Sequence, residues 1–276
     1  MKTRSRTVVG WIFLTLAGHV SAAVAVYQDG GNDPFTGLAY SGAEDAFLTN
    51  RNDEQKNQNF GARTQFYVRD HSAVTENTVM RFDVTSLAGE YETINSVVLR
   101  VYLGAVPPDD GTVSLSLLVA ANQGWVEGAG VASDVSNYFP GTVTWNEIQR
   151  GTQTGAGAPN GSGEEWAGGN TGGGAAADQD ATVATVTISG TELAGSYIDF
   201  VFTDTAFMKN WVSGDNPGFV LTSNGIDAGS LVINSSEAAD QGVRPELRID
   251  YDPIPEPIPG ILGGLAWMLL LFRRRR

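Results

Sequence analysis

Apolar and polar residues alternate with a period of two along most of the chain. Phe66 and Val68 alternate with Gln65, Tyr67 and Arg69, and Met80, Phe82 and Val84 alternate with Arg81 and Asp83. Val97, Leu99, Val101 and Leu103 alternate with Val98, Arg100 and Tyr102. Val113, Leu115, Leu117 and Val119 do so with Ser114, Ser116 and Leu118. Side chains of a strand point to opposite faces in turn, so this pattern predicts half-buried antiparallel strands. Further strands are expected at Thr182–Ile188, Tyr197–Phe202, Gly218–Thr222, Ser230–Asn234 and Glu246–Tyr251. Glu44-Asp45-Ala46-Phe47 opens another. One helix is expected at Thr205–Val212, capped by Asp204, with Phe207 and Trp211 on one face and Gly214 ending it. Gly151 to Asp180 is dominated by Gly, Ala and Asn and reads as a long surface loop, a mobile insertion without a function of its own. No internal repeat is visible. The fold class is all-β, one antiparallel β-sandwich with one short helix, spanning residues 23–252.

The two ends do not follow this pattern. Residues 1–22 combine a basic start (Lys2, Arg4, Arg6), an apolar run from Thr7 to Leu16 and small residues at Val20-Ser21-Ala22. This is the build of a signal peptide for Sec export, cleaved before Ala23 or one residue later. The other reading is an N-terminal anchor, but the run is too short to span. At the other end Pro255-Glu256-Pro257 breaks regular structure before 15 uncharged residues, Ile258 to Phe272. As a transmembrane helix these would reach about 22 Å, short of the roughly 30 Å hydrocarbon core. Arg273, Arg274, Arg275 and Arg276 would snorkel and stay cytoplasmic.

Charge sharpens the contrast between ends and body. The whole chain carries a net −14, but Val24 to Asp252 holds 10 basic and 30 acidic residues, a net −20. Such a body repels phosphate backbones, so nucleic acid is not expected as a partner. There is no Cys, which excludes disulfides, thiolate zinc sites and a Cys nucleophile. Of the two His, only His71 lies in the body.

The last 24 residues, with Pro-Glu-Pro, an apolar helix and a terminal basic cluster in that order, resemble the PEP-CTERM sorting signal of Gram-negative bacteria. The resemblance implies removal of the tail by an exosortase, a membrane protease, after the chain has been held transiently in the inner membrane. It also implies delivery to the cell surface or the biofilm matrix; a plain tail anchor is the alternative. Within the body, several short motifs occur in order: Glu44-Asp45-Ala46-Phe47, Asn59-Phe60-Gly61, Met80-Arg81-Phe82-Asp83-Val84 and Ser96 to Tyr102. They continue with Trp125-Val126-Glu127-Gly128, Val143-Thr144-Trp145-Asn146, Trp211-Val212-Ser213-Gly214, Ser235-Ser236-Glu237 and Arg244-Pro245-Glu246-Leu247. This order is similar to the DNRLRE-type domain of secreted bacterial proteins. That domain is related to binding modules for alginate-like polysaccharides and has a jelly-roll-like β-sandwich. The chain differs in its 151–180 loop and in lacking a Pro shortly after the Trp-Asn motif.

Candidate chemistry follows from the strand faces. If Phe66, Val68, Met80, Phe82, Leu99 and Val101 face the core, Tyr67, Arg69, Arg81, Arg100 and Tyr102 share the opposite face. With Arg63, four of the body's ten basic residues then fall within 38 positions. Guanidinium forks pair with carboxylates and aromatic faces stack on sugar rings, so this strip suits an acidic extracellular polysaccharide. The competing reading is ordinary pairing with Asp70, Asp83 or Glu92. Trp125 and Trp145 are either sugar platforms or plugs of a sandwich end. Asp29, Asn32, Asp33, Glu44 and Asp45 form a hard-oxygen cluster that suits a structural calcium, or a solvated acidic turn. Glu164-Glu165, in the Gly-rich loop, is a poor setting for a glycosidase pair. Tyr67, Arg69 and His71 alternate onto one face and offer the cation and base of a polysaccharide lyase. The expected function is non-catalytic polysaccharide binding by an exported surface or matrix protein. A purely structural surface protein and a lyase are the alternatives.

Overall fold

A computed structural model describes residues 21–71, 73–131, 138–151, 163–191 and 194–255. The leader up to residue 20, Glu256, Pro257 and the tail through Arg273–Arg276 lie outside the described residues. Thirteen strands and one short helix are present among them. In chain order the strands are β1 (Ala23–Tyr27), β2 (Ala43–Thr49), β3 (Gln65–His71), β4 (Val74–Phe82), β5 (Tyr91–Ala105) and β6 (Gly111–Leu118). Then come β7 (Glu147–Gln149), β8 (Glu164–Glu165), β9 (Gln179–Ile188) and β10 (Tyr197–Val201). The helix α1 (Met208–Val212) is followed by β11 (Phe219–Asn224), β12 (Leu231–Asn234) and β13 (Glu246–Pro253).

Two antiparallel layers form the sandwich. The first runs β1-β13-β5-β10, with β12 taking over from β13 beside Leu103 and Ala105. The second runs β2-β4-β11-β6-β9. Strand β3 turns the corner between them: Gln65–Val68 pair with β12, and Arg69–His71 pair with β4. On the far side, the Thr203 N–H donates to Val183 O at 2.7 Å just beyond β10. The alternating residues read from the sequence fill the space between the layers. Phe66, Val68, Met80, Phe82, Leu99, Val101, Leu115, Phe219 and Ile249 are all buried in one cluster. The all-β sandwich expected from periodicity is therefore the observed architecture. The helix is shorter than expected because residues before Met208 form turns. The Asp204 carboxylate accepts the Ala206 N–H at 2.8 Å, and Gly214, at φ +99, stops the chain as anticipated.

The Gly-rich segment departs from its expected form. Its described part, residues 163–180, is a lid over the outer face of the second layer. Ala46, Leu48, Val79, Leu118 and Val220 point to that face and pack with Trp125, Val143, Trp145, Ile148 and Trp166 in a second buried cluster. The Trp166 Nε1–H donates to Thr144 O and that of Trp145 to Asn170 O, both at 3.0 Å. Buried Asp178 gathers the lid's backbone, accepting from Gly168 N at 2.6 Å and Ala175 N at 3.2 Å. The glycines are there because a Cβ on Gly172, at φ +58, would lie 2.5 Å from the Trp145 ring. The composition looked like that of a free loop because close approach to tryptophan requires the same small residues.

Candidate functional site

The expected strip of five residues is divided by the fold into three places. Arg100 and Tyr102 lie on β5 and meet Tyr197 of β10. The Arg100 guanidinium sits 5.0 Å from the Tyr197 ring centre and pairs with Asp199 at 2.8 Å and Glu246 at 3.4 Å. Tyr102 stands edge-on to Tyr197 at 5.1 Å. Arg81 lies in the other layer, on β4, and all its chemistry is engaged: an ion pair with Glu44, a 3.0 Å hydrogen bond to Gln123 O and the Trp125 ring at 4.6 Å. Arg69 stands opposite Glu76 at the β3–β4 hairpin. Alternation fixes which residues share a face of one strand, but β5 and β4 belong to different layers, so their outer faces look away from each other.

Tyr67 goes to a pocket that the strip had not anticipated. A cavity of about 290 Å³ is lined by Phe47, Thr49, Arg51, Gln55, Phe60, Arg63, Tyr67 and Glu76. Phe47 and Thr49 come from β2, Tyr67 from β3 and Glu76 from β4. The Arg63 guanidinium is held over three rings, 5.2 Å from Phe47, 5.7 Å from Phe60 and 5.1 Å from Tyr67. Arg51 reaches in from an exposed loop and pairs with buried Glu76 at 2.9 Å. The second Glu76 oxygen accepts from the Ser230 hydroxyl at 2.9 Å. Two guanidinium groups against one carboxylate leave the pocket locally positive on a strongly acidic body. Aromatic walls and charged forks together suit a ring-shaped, carboxylate-bearing ligand.

The short motifs position this pocket from behind. Fully buried Asn59 accepts the Gly61 and Gly130 N–H groups through its side-chain oxygen and donates to Val143 O at 2.9 Å. That knot presents Phe60 edge-on to Phe47, with the rings 5.5 Å apart. Ser235 holds the other wall, its hydroxyl donating to Arg63 O at 2.5 Å. Ser236 donates through its N–H (2.7 Å) and hydroxyl (3.0 Å) to the Asp45 carboxylate. Burial pushes the Asp45 carboxyl well above the usual range, partly offset by those Ser236 bonds. Neighbouring Glu127 is raised by burial first and by Asp45 second, and its Oε1 accepts the Asp45 N–H at 3.2 Å. Two carboxyls so placed do not both ionise at neutral pH.

The remaining expected site residues have structural employment. Trp125 is fully buried and Trp145 is 6% exposed under the lid, so neither offers a ring face to a sugar. The five expected calcium donors do not gather into one shell. Asp29 accepts from Ala43 N, Asp33 from the N–H groups of Phe35 and Thr36, Asp45 from Ser236, and Glu44 pairs with Arg81. Asn32 sits in an isolated bridge with Ala39. Among the described residues no group of three or more His, Cys, Asp or Glu side chains is arranged to hold a metal ion. His71 does not join Tyr67 either: its Nε2 faces Asp227 at 3.5 Å and its Nδ1 accepts from Ala73 N. Sequence reasoning missed Phe47, Arg51, Gln55, Phe60 and Glu76. Phe47 and Phe60 read as core, and the one available signal was Arg63 standing four residues before Tyr67. Among the described residues no helix is long and apolar enough to cross a membrane. No curated protein matches the chain. Residues 38–130, about a third of the chain and the part that builds this pocket, match the model of Carbohydrate-binding module family 96, which supports a carbohydrate-binding β-sandwich domain.

Proposed function

We propose that the body binds an acidic extracellular polysaccharide without catalysis, through the Arg51–Arg63–Tyr67 pocket. The observation that carries this reading is the Arg63 guanidinium stacked over Phe47, Phe60 and Tyr67 inside the segment that matches a carbohydrate-binding family. Uronate carboxylates would meet the edges of Arg51 and Arg63, while the rings would meet the apolar face of the sugar. Carbohydrate-binding modules are in general non-catalytic. The separation of His71 from Tyr67 weighs against a lyase. The leader and the Pro-Glu-Pro tail extend the reading to an exported protein, processed by an exosortase and delivered to the cell surface or biofilm matrix of a Gram-negative bacterium.

The test is retention of the purified full chain on alginate and on a neutral polysaccharide at two salt concentrations, with and without calcium. Retention on alginate that falls as salt rises is expected, because exposed charge pairs are screened. Arg63→Ala should weaken that retention tenfold or more while the protein stays folded, since a cation–π contact of this kind contributes roughly 0.5–2 kcal/mol. Retention unaffected by Arg63→Ala would remove the pocket from the proposal. No retention on alginate would leave a structural surface domain.

A further inference from the structure

A second cleft lies at the opposite end of the β2–β4 pair. Register sets the separation: Thr49 pairs with Glu76 at the Arg63 pocket, and Glu44 pairs with Arg81 at the cleft, five rows away. Five rows are roughly 17 Å. One half of the cleft, about 440 Å³, is lined by residues that include Glu44, Arg81, Asp83, Gln123 and Trp211. The other half, about 380 Å³, shares Gln123 and Trp211 and adds Asp180, Phe207, Asn210, Asp215 and Pro217. The two halves therefore form one elongated groove passing Trp211.

Its chemistry is the reverse of that of the Arg63 pocket. Four carboxylates line it against one guanidinium, and Arg81 is already engaged by Glu44, Gln123 O and Trp125. A polyanion would meet uncompensated carboxylates there. Among the described residues, no hydrogen bond or ion pair engages the side chains of Asp180, Asn210 or Asp215. They stand exposed beside the half-buried Phe207 ring, which is braced edge-on by Trp211 at 4.7 Å. Carboxylates and amides that accept and donate freely beside an aromatic surface match sugar hydroxyls and the apolar face of a sugar ring. An elongated groove fits several residues of a chain rather than a compact ligand. A simple polycation fits less well, because Leu117, Leu118, Phe207 and Pro217 supply an apolar wall.

We infer that this groove is a separate site for a neutral, hydroxyl-rich glycan chain, so that the domain can hold two polysaccharides of different charge at once. The inference goes beyond the uronate reading of the Arg63 pocket and does not depend on it. Calorimetry of the purified full chain with the neutral hexasaccharides cellohexaose, mannohexaose and xylohexaose tests it, with spermine as the cationic control. Binding of at least one hexasaccharide is expected. The double variant Asn210→Ala with Asp215→Ala should weaken it tenfold or more, and Arg63→Ala should leave it unchanged. Alginate retention should respond in the opposite way to the same variants. In a bridging assay, wild-type protein on alginate beads should capture the labelled hexasaccharide, and neither variant should. Absence of binding to all three hexasaccharides at millimolar ligand overturns the inference, as does binding of spermine alone. Equal loss from the groove variant and Arg63→Ala also overturns it, in favour of a single site. Failure on alginate with hexasaccharide binding intact overturns the uronate reading instead.

Discussion

Asp45 and Glu127 show how a single buried contact sets a property of the whole domain. Asp45 is fully buried beneath Ser236, and Glu127 lies beside it with its carboxyl raised chiefly by burial. A raised folded-state pKa means that the fold favours the protonated acid. The stabilisation is complete below the ordinary carboxylate range and is lost as pH rises through neutrality into the alkaline range. Glu127→Gln keeps an oxygen to accept the Asp45 N–H but carries no charge. The variant should match the wild type near pH 4 and be more stable at pH 9. Urea denaturation at the two pH values reads this directly. A larger deficit at pH 9 than at pH 4 would show that Glu127 is stabilising as an anion, with a cation that the described side chains do not supply.

The lid is the element whose role was least legible in the chain. Period two revealed the strands because each inner residue sees the same core for its whole length, and Phe66, Met80, Leu99 and Phe219 all fall where alternation put them. It did not reveal that Ala46, Leu48, Val79 and Val220 are covered on the other face, since a strand buried on both sides shows no polar partner set. Nor can periodicity relate two strands in different layers, which is why Arg81 and Arg100 were expected together and are found apart. The pocket was half legible: Arg63 and Tyr67 stand four residues apart, but Arg51 and Glu76 arrive from elements that only the fold brings near. The lid's own contribution can be measured. Trp166→Ala should cost about 3–5 kcal/mol, as removal of a buried aromatic does, and it strands the Thr144 carbonyl. Gly172→Ala should cost roughly 1 kcal/mol or more, because its Cβ meets Trp145 and its φ is positive. Equilibrium urea unfolding distinguishes a packed lid from a free loop, for which both changes would be near neutral.

At the scale of the molecule, the fold separates its ends from its pocket. Strand β1 pairs antiparallel with β13, so Ala23 lies opposite Tyr251 and the chain enters and leaves on one side. Along β5, Pro253 pairs with Tyr91, whereas Leu103 neighbours Ile233 of β12, which in turn pairs with Phe66 beside Tyr67. Twelve steps along β5 span about 40 Å at ~3.3 Å per residue. A tail held at a membrane would therefore present the Arg63 pocket on the far end of the sandwich, where a polymer outside the cell can reach it. The absence of cysteine from the sequence makes this testable, because one introduced thiol is a unique attachment point. Thr64 is exposed next to the pocket, and Glu92 is exposed at the end where the tail leaves. A bulky maleimide polymer on the Thr64→Cys variant should reduce alginate retention tenfold or more. The same polymer on the Glu92→Cys variant should leave retention unchanged. Equal effects at both positions would place the polysaccharide along the whole first layer, with the Arg100–Tyr197 face as its contact.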